Sequence, residues 1–144
     1  MNRILMVIAS VFCCGVCAEP VEFLNPPGVM AKGLPFSAAV KVGQQVYVTG
    51  QIGTLPGTTK LVGGGMAEEA KQTIDNVKAI LEANGYALRD VVKCTVMLAD
   101  MSEWAAFNEV YKVAFTPPYP ARSAIGANGL AFGAKVELDC LAAC

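Results

Sequence analysis

The order of alternating and helical hydrophobic patterns constrains what this chain can fold into more than any other feature. Apolar residues alternate with others in four segments, as in half-buried strands, and recur at three- and four-residue steps in two, as in amphipathic helices. A fifth strand is expected between Pro118 and the Gly-containing turn at 128–134. The predicted strands are 37–42, 45–49, 90–99, 122–127 and 135–142, and the predicted helices are 66–84 and 100–114. This β-β-α-β-α-β-β order predicts an α+β domain in which two helices cover one face of a mixed sheet.

Turn and capping residues mark the boundaries of these elements. Gly43 interrupts the first two strands and predicts a tight hairpin, and Gly85 is placed to end the first helix in a left-handed turn. The Asp100 carboxylate is expected to cap the second helix while Glu103 reaches back as in a capping box, and Pro117 prevents that helix from continuing. Residue type and periodicity thus predict the same helix ends.

The two faces of the strands differ in polarity. On strand 90–99 the residues predicted to share one face are Val92, Cys94, Val96 and Leu98. On the last strand, alternate apolar residues face the helices and leave Glu137 and Asp139 on the other side. That second face still carries Val, Ile and Met from other strands, so we expect a symmetric oligomer to bury it.

Two stretches are predicted to lack regular structure. Residues 19–32 contain three prolines and a glycine, so we expect an extended, irregular arm along the surface. Residues 55–65 end in three consecutive glycines, but the Gly-Lys-Ser/Thr of a phosphate-binding loop is absent, and a flexible loop is the better interpretation.

Residues 1–18 have the pattern of a secretory signal peptide. Arg3 supplies the positively charged N-terminal region, and residues 4–12 form the apolar stretch. Ala18 is the small residue that cleavage requires. We therefore expect a signal peptide at 1–18 and a single domain at 19–144, in a protein exported to the periplasm or secreted. An apolar stretch of about nine residues is too short to span a bilayer, which argues against a stable membrane anchor. An apolar N-terminus that is not cleaved is the alternative.

Charge and composition exclude several classes of function. The 144-residue chain has 11 Lys and Arg, 12 Asp and Glu, and no basic run that would hold a nucleic acid. It contains no histidine, which excludes Ser-His-Asp and Cys-His nucleophiles and His-ligated zinc. Acid–base chemistry must therefore come from carboxylates, Tyr, Lys or Cys.

Three cysteines follow the predicted signal peptide, namely Cys94, Cys140 and Cys144. Along one extended strand Cys140 and Cys144 would lie about 13 Å apart, too far for a disulfide. A disulfide from Cys94 to either of the others is possible in an oxidising compartment, but we expect buried thiols at Cys94 and Cys140. The spacing matches neither a CxxC redox motif nor a metal site.

Arg122, in Pro-Ala-Arg-Ser, and Glu137, fifteen positions later, are the candidate reactive pair. A guanidinium grips a carboxylate with two hydrogen bonds, and a glutamate on a neighbouring strand can hold a water beside it. The pair predicts a pocket for a small carboxylic acid. The alternative is a cross-strand salt bridge, which contributes under about 1 kcal/mol.

Six segments carry a recognisable pattern. They are Gly-Leu-Pro-Phe-Ser-Ala-Ala-Val at 33–40, Val-Thr-Gly-Gln-Ile-Gly at 48–53, Asp-Asn-Val-Lys-Ala-Ile-Leu at 75–81, Asn-Glu-Val-Tyr at 108–111, Pro-Ala-Arg-Ser at 120–123 and Val-Glu-Leu at 136–138. In this order they resemble the Rid family of enamine/imine deaminases, also called the YjgF family, over about residues 25–143.

The resemblance implies a chorismate-mutase-like α+β subunit with a mixed six-stranded sheet, in a barrel-shaped homotrimer with active sites between subunits. It also implies an enzyme that hydrolyses a C–N bond. The substrates would be 2-imino acids such as 2-iminobutanoate and 2-iminopropanoate, the products 2-oxo acids and ammonia, and no metal or organic cofactor would be needed.

The implied roles fall on numbered residues of this chain. Arg122 matches the family's carboxylate-binding arginine, assisted by the backbone amide of Gly50 and the hydroxyl of Thr49. Glu137 matches the glutamate that holds the attacking water together with the backbone carbonyl of Ala124.

Asn108 matches a pocket asparagine. The alternative for Asn108 is ordinary hydrogen bonding within a helix, and the alternative for Thr49 is ordinary hydrogen bonding within a strand.

Two positions depart from the family pattern. Phe36 stands where many members have Tyr, and Ala124 where many have Cys. The substrate pocket therefore lacks a phenolic hydroxyl and a thiol, and we expect activity to be reduced or redirected.

Two other classes of function fit the same residues. A non-catalytic module could hold a small carboxylate on Arg122 outside the cytoplasm, and an oxidation-activated holdase could expose apolar surface through its cysteines. Ammonia release from 2-iminobutanoate separates the first from the enzyme, and suppression of aggregation that persists in Arg122→Ala would favour the second. A ribonuclease role has little support, because neither a basic patch nor a histidine is present.

Overall fold

The computed structural model describes residues 18–144, so the predicted signal peptide, apart from Ala18, lies outside the described residues. The strands are β1 Val21–Leu24, β2 Ala39–Val42, β3 Gln45–Ile52, β4 Val91–Leu98, β5 Ala121–Gly126 and β6 Val136–Ala143. The α-helices are α1 Met66–Glu82 and α2 Trp104–Ala114.

The six strands form one sheet with the order β1-β2-β3-β6-β4-β5. Only β4 and β5 run parallel, and the other neighbouring pairs are antiparallel. Both helices pack on the same face of this sheet, where they enclose a single hydrophobic core. The predicted α+β class with a mixed six-stranded sheet is confirmed.

Helix α1 buries the apolar stripe that its periodicity predicts, whereas of the predicted α2 stripe Trp104 and Ala114 are only half-buried. The buried residues of the α1 stripe are Met66, Ala70, Ile74, Val77 and Leu81. In α2, Phe107 and Tyr111 are buried, and β6 contributes Val136, Leu138, Cys140 and Ala142. Burying one large apolar side chain stabilises the fold by about 1.5–3 kcal/mol. Helix α1 ends at Glu82, two residues before the predicted end, and Gly85 takes the expected left-handed conformation with a φ of 83° in the turn that follows.

The arm predicted at 19–32 is wrong in its first part. Residues 21–24 form strand β1 at the sheet edge, where Val21 lies opposite Val42 and Leu24 opposite Ala39. The prolines of this stretch flank Val21–Leu24 without interrupting it, so its backbone is free to pair with β2.

The start of α2 differs from the predicted capping box. Asp100 accepts a hydrogen bond from the Ser102 N–H at 2.8 Å, but a 3-10 turn over Met101–Glu103 precedes the α-helix. Glu103 does not reach back, because its carboxylate pairs with Lys135 Nζ at 3.0 Å. A charged partner from the segment before β6 thus replaces the expected local contact.

Val92 does not lie on the inner face of β4, contrary to the prediction. The register between β4 and β6 shifts between Val91 and Lys93, and Val92 is 45% exposed. Such a bulge reverses which side chains face the core, so Val91 is buried and Val92 points away.

The expectation of buried thiols at Cys94 and Cys140 is wrong, because these residues form a disulfide. They lie directly opposite each other on β4 and β6, with their Cα atoms 4.2 Å apart. This pairing depends on strand order, which spacing along the sequence does not reveal. Cys144 is free and exposed.

The face of the sheet opposite the helices, here called the open face, is uncovered in the single chain. Glu137 and Asp139 lie on it as predicted, alternating with the buried residues of β6. Its most exposed apolar side chains, between 48% and 71% exposed, are Val21, Phe23, Tyr47 and Ile125. An apolar patch of this kind is typical of an interaction surface. Within residues 18–144, no helix combines the length and hydropathy needed to cross a bilayer.

Candidate active site

The predicted site residues fall into two separate cavities of the single chain. The first, about 230 Å³ in volume, is lined by Glu137, Gly50 and Phe36. The second, about 630 Å³, is lined by Arg122 and Asn108. The structure of one chain therefore brings Glu137 and Gly50 together but keeps Arg122 apart from them.

Sheet geometry explains this separation. Arg122 on β5 is in register with Cys94, which is fully buried under the helices, so the arginine leaves the sheet on the helix side. Glu137 on β6 projects from the open face, and β4 separates the two strands by about 10 Å. No salt bridge among residues 18–144 involves Arg122, so the alternative of an Arg122–Glu137 salt bridge is wrong for the single chain.

The Arg122 guanidinium is held by aromatic rings. Its Cζ lies 4.5 Å from the ring centroid of Tyr111, 4.7 Å from that of Trp104 and 5.9 Å from that of Phe107. Each such contact contributes roughly 0.5–2 kcal/mol and fixes the plane of the guanidinium. The N–H donors have no carboxylate partner among the described residues, so the group is suited to bind the carboxylate of a ligand.

Tyr111, which packs against this guanidinium, is kept as a neutral phenol. Burial raises the pKa of Tyr111, and the positive charge of Arg122 opposes that rise. The Tyr111 hydroxyl is buried and has no hydrogen-bond partner among residues 18–144. The second cavity thus offers a guanidinium flanked by a neutral aromatic wall.

Glu137 has the properties of a general base. Burial, and secondly the charge of Asp139, raise the pKa of the Glu137 carboxyl above its ordinary value. A carboxylate with a raised pKa accepts a proton more readily, which suits it to activate a water molecule. The carboxylate packs against Gly50, where any Cβ atom would overlap Glu137 Oε1.

A bulge in β3 places Gly50 against Glu137. The register between β3 and β6 shifts between Val48 and Gln51, so residues 49 and 50 leave the regular ladder. The buried Gln51 side chain donates to the carbonyl oxygens of Thr49 at 3.1 Å and Gly50 at 3.3 Å. Gln51 has no role in the sequence prediction, although a glycine inside an alternating strand is a signal for such a bulge.

Asn76 is a second residue whose role is not predicted from the sequence. Its Nδ2 donates to the carbonyl oxygens of Ile52 and Thr54, both at 2.9 Å, and its Oδ1 accepts from Gln72 Nε2. The Asn76 residue is only 3% exposed, and its two hydrogen bonds link the end of β3 to α1. The available signal was a polar residue within the apolar stripe of a helix, since a buried amide requires such partners.

The remaining predicted residues have simpler surroundings. Asn108 lies on α2 in the wall of the Arg122 cavity. Ala124 follows Arg122 by two positions on β5 and packs against the core. The Thr49 N–H donates to the carbonyl of Ala38 at 3.0 Å, an ordinary bond between strands. Among residues 18–144, no three His, Cys, Asp or Glu side chains are grouped to hold a metal ion.

The chain is similar in sequence and in fold to known proteins. A family model described as Endoribonuclease L-PSP matches residues 30–144. The Homo sapiens 2-iminobutanoate/2-iminopropanoate deaminase is 44% identical over 122 residues, which cover 85% of this chain and 87% of that protein. The structure of RidA from an Antarctic Psychrobacter species matches with a TM-score of 0.80 and 39% identity, covering 85% of this chain and 99% of that one. The structure of E. coli TdcF with bound serine matches with a TM-score of 0.78 and 30% identity, covering 85% of this chain and 98% of that chain.

Proposed function

Because the chain belongs to the Rid (YjgF) family, whose model is described as Endoribonuclease L-PSP, we propose that it hydrolyses 2-imino acids to 2-oxo acids and ammonia. The observation that carries this proposal is a pair of groups: the Arg122 guanidinium, which has no counter-ion among residues 18–144, and the Glu137 carboxyl, whose pKa is raised. The human relative is named for 2-iminobutanoate and 2-iminopropanoate, and we propose the same substrate class here.

The reaction needs only binding, orientation and one proton acceptor. Arg122 binds the substrate carboxylate, and Glu137 takes a proton from a water whose oxygen adds to the imine carbon. The nitrogen receives both water protons, the C–N bond breaks, and ammonia leaves while the oxygen remains as the 2-oxo group. An imine carbon is already electrophilic, so orientation, which contributes up to about 7–11 kcal/mol in favourable cases, supplies much of the rate.

The proposed site is shared between two copies of the chain. Arg122 lies on β5, an edge strand, whereas Glu137 lies on the open face of the sheet. The edge of one copy set against the open face of the next would join the two groups and cover the exposed apolar residues described above. A ring closed in this way is a cyclic oligomer, and we propose the homotrimer that the family resemblance implies.

We also propose that the protein is exported. The pattern at 1–18 supports this, as does the disulfide between Cys94 and Cys140, because disulfides persist in oxidising compartments. The domain at 19–144 would then act outside the cytoplasm on imino acids produced or imported there.

Turnover of freshly generated 2-iminobutanoate tests the proposed function. Ammonia release in the presence of the protein should exceed spontaneous hydrolysis. Arg122→Ala should abolish the excess, and Glu137→Gln should keep ligand binding while losing about 100-fold or more in rate. Arg89→Ala, which removes an exposed arginine on another part of the surface, is the control and should be unaffected.

Parental rates in folded Arg122→Ala or Glu137→Gln would contradict the assigned roles. Binding of 2-oxobutanoate to the parent protein without any acceleration would instead favour the non-catalytic carboxylate-binding module.

A further inference from the structure

The cavity beside Glu137 is mainly apolar. Its apolar wall residues come from three separate parts of the chain and include Met30, Leu34, Phe36, Ile52 and Phe132. Met30, Leu34 and Phe36 belong to the connection between β1 and β2. Ile52 belongs to β3, and Phe132 belongs to the turn before β6. A pocket of this kind, with one carboxylate among the described residues of its wall, binds apolar groups and exposes them to one reactive polar group.

The size of this cavity exceeds what the smallest imino acids need. Its volume is about 230 Å³, whereas an apolar cavity of about 150 Å³ is enough to hold benzene. The methyl group of 2-iminopropanoate or the ethyl group of 2-iminobutanoate would leave most of this space empty. An isobutyl or benzyl side chain would contact its walls and gain dispersion attraction from them.

Phe132 has a backbone conformation that a bulky residue rarely adopts. Its φ is 57° and its ψ 13°, within a short turn that ends at Gly133. Its ring is also 64% exposed, although it borders the cavity. A strained backbone and an exposed aromatic ring are both unfavourable in the single chain, and residues of this kind cluster at sites that bind ligands.

Phe36 borders the same cavity from a different segment and is 51% exposed. It stands on the connection between β1 and β2, whereas Phe132 stands just before β6, so two distant segments each supply an aromatic ring. An apolar ligand group in the cavity would remove both rings from water, which favours its binding.

We propose that this cavity receives the side chain of the substrate, that the preferred substrates are 2-imino acids with large apolar side chains, and that Phe132 determines this preference. The inference rests on the proposed function, because it places the side chain of the molecule whose imine carbon lies near Glu137. Reactions that oxidise the amino group of hydrophobic amino acids to an imine would supply such substrates.

Relative turnover across a series of side chains tests the proposal. Imines made in situ by oxidation of alanine, 2-aminobutyrate, leucine and phenylalanine differ only in their methyl, ethyl, isobutyl or benzyl group. The quantity measured is the ratio of kcat/KM for the isobutyl or benzyl imine to kcat/KM for the ethyl imine. In the parent protein this ratio should be about ten or more, since added carbons in an apolar pocket change discrimination by about tenfold or more.

Phe132→Gly is the informative variant, because a φ of 57° suits glycine and the fold should be retained. It should lower the ratio by about tenfold and leave the melting temperature equal to or above that of the parent. The matched control is Val113→Ala, which shortens a side chain that is 84% exposed on α2, outside the cavity, and should leave the ratio unchanged.

A ratio of one or less in the parent, or an unchanged ratio in Phe132→Gly, would overturn this inference while leaving the proposed function intact. If the protein does not accelerate the hydrolysis of any of these imines, the proposed function fails instead. Calorimetric measurement of 2-oxo acid binding then decides the role of the cavity. Tighter binding of 4-methyl-2-oxopentanoate than of 2-oxobutanoate would then support the apolar side-chain site, and equal binding would overturn it.

Discussion

Glu137 is the residue whose ionisation should govern the pH dependence of the reaction. Its pKa is raised first by burial and secondly by the charge of Asp139. A general base must be ionised, so kcat/KM should fall as the pH drops through this raised pKa. As the proposed base, this carboxylate should therefore work over a pH range set by its surroundings and not by glutamate alone.

Replacing Asp139 by Asn should move the acidic limb of the pH profile to lower pH. The substitution removes the smaller of the two causes that raise the pKa of Glu137, so that pKa falls toward its ordinary value without reaching it. The measurement is kcat/KM for 2-iminobutanoate against pH, with Asp75→Asn on the exterior of α1 as the control. An acidic limb that stays in place would show that Glu137 is not the group that titrates.

Substituting Gly50 by Ala should displace the Glu137 carboxylate. A Cβ atom at position 50 would overlap Glu137 Oε1, and a misplacement of about 1 Å at a catalytic group costs about 100-fold in rate. Gly126→Ala is the control, because its Cβ would meet only the flexible Met101 side chain, 3.0 Å from Cγ. The rates of both variants should be measured alongside their circular dichroism spectra, and a parental rate in Gly50→Ala would contradict the geometry described for this site.

At the scale of strands and helices, local patterns predict the elements but not how they pair. The α1 stripe and the alternation along β6 are properties of nearby residues, and both appear in the structure where the sequence places them. Strand β1, the bulges at Val92 and at residues 49–50, and the Cys94–Cys140 bond each depend on a partner strand far away in the sequence. Periodicity does not identify that partner, so Gly50 signals a bulge without showing which strand pairs with β3, and the cysteines allow a disulfide without deciding its pairing.

The same limit applies to the candidate site. Arg122 and Glu137 were identified from residue type and family resemblance, but their opposite directions follow from the order β6-β4-β5. Gln51 and Asn76 act by holding backbone carbonyls that are exposed only once β3 is bulged and docked on α1. Their roles become visible when the tertiary contacts are known.

The Cys94–Cys140 disulfide should contribute substantially to stability. It joins neighbouring strands across a sequence separation of 46 residues, which corresponds to about 4 kcal/mol in the chain-entropy treatment. Urea unfolding with reductant, at fixed protein concentration, should give a free energy of unfolding about 2–4 kcal/mol lower than without it. Cys144→Ala, which removes the free thiol, should show the same reductant effect as the parent, and no effect in either protein would contradict a structural role for the bond.

At the scale of the whole molecule, one chain holds the two proposed reactive groups in separate cavities. The guanidinium is on the helix side of an edge strand, whereas the carboxylate is on the open face, which also carries exposed apolar residues. Association of identical chains would complete the site and bury this surface in one step, so activity should require the oligomer.

Mixing two inactive variants tests this shared site most directly. Arg122→Ala and Glu137→Gln chains, carrying different tags and co-expressed in equal amounts, should form mixed oligomers in which some interfaces join an intact Arg122 to an intact Glu137. With random assembly, half of the chains keep each group, so about one quarter of the interfaces carry both and about one quarter of parental activity should return. Activity no higher than that of the separate variants, in oligomers shown by both tags to be mixed, would contradict a site built from two copies of the chain.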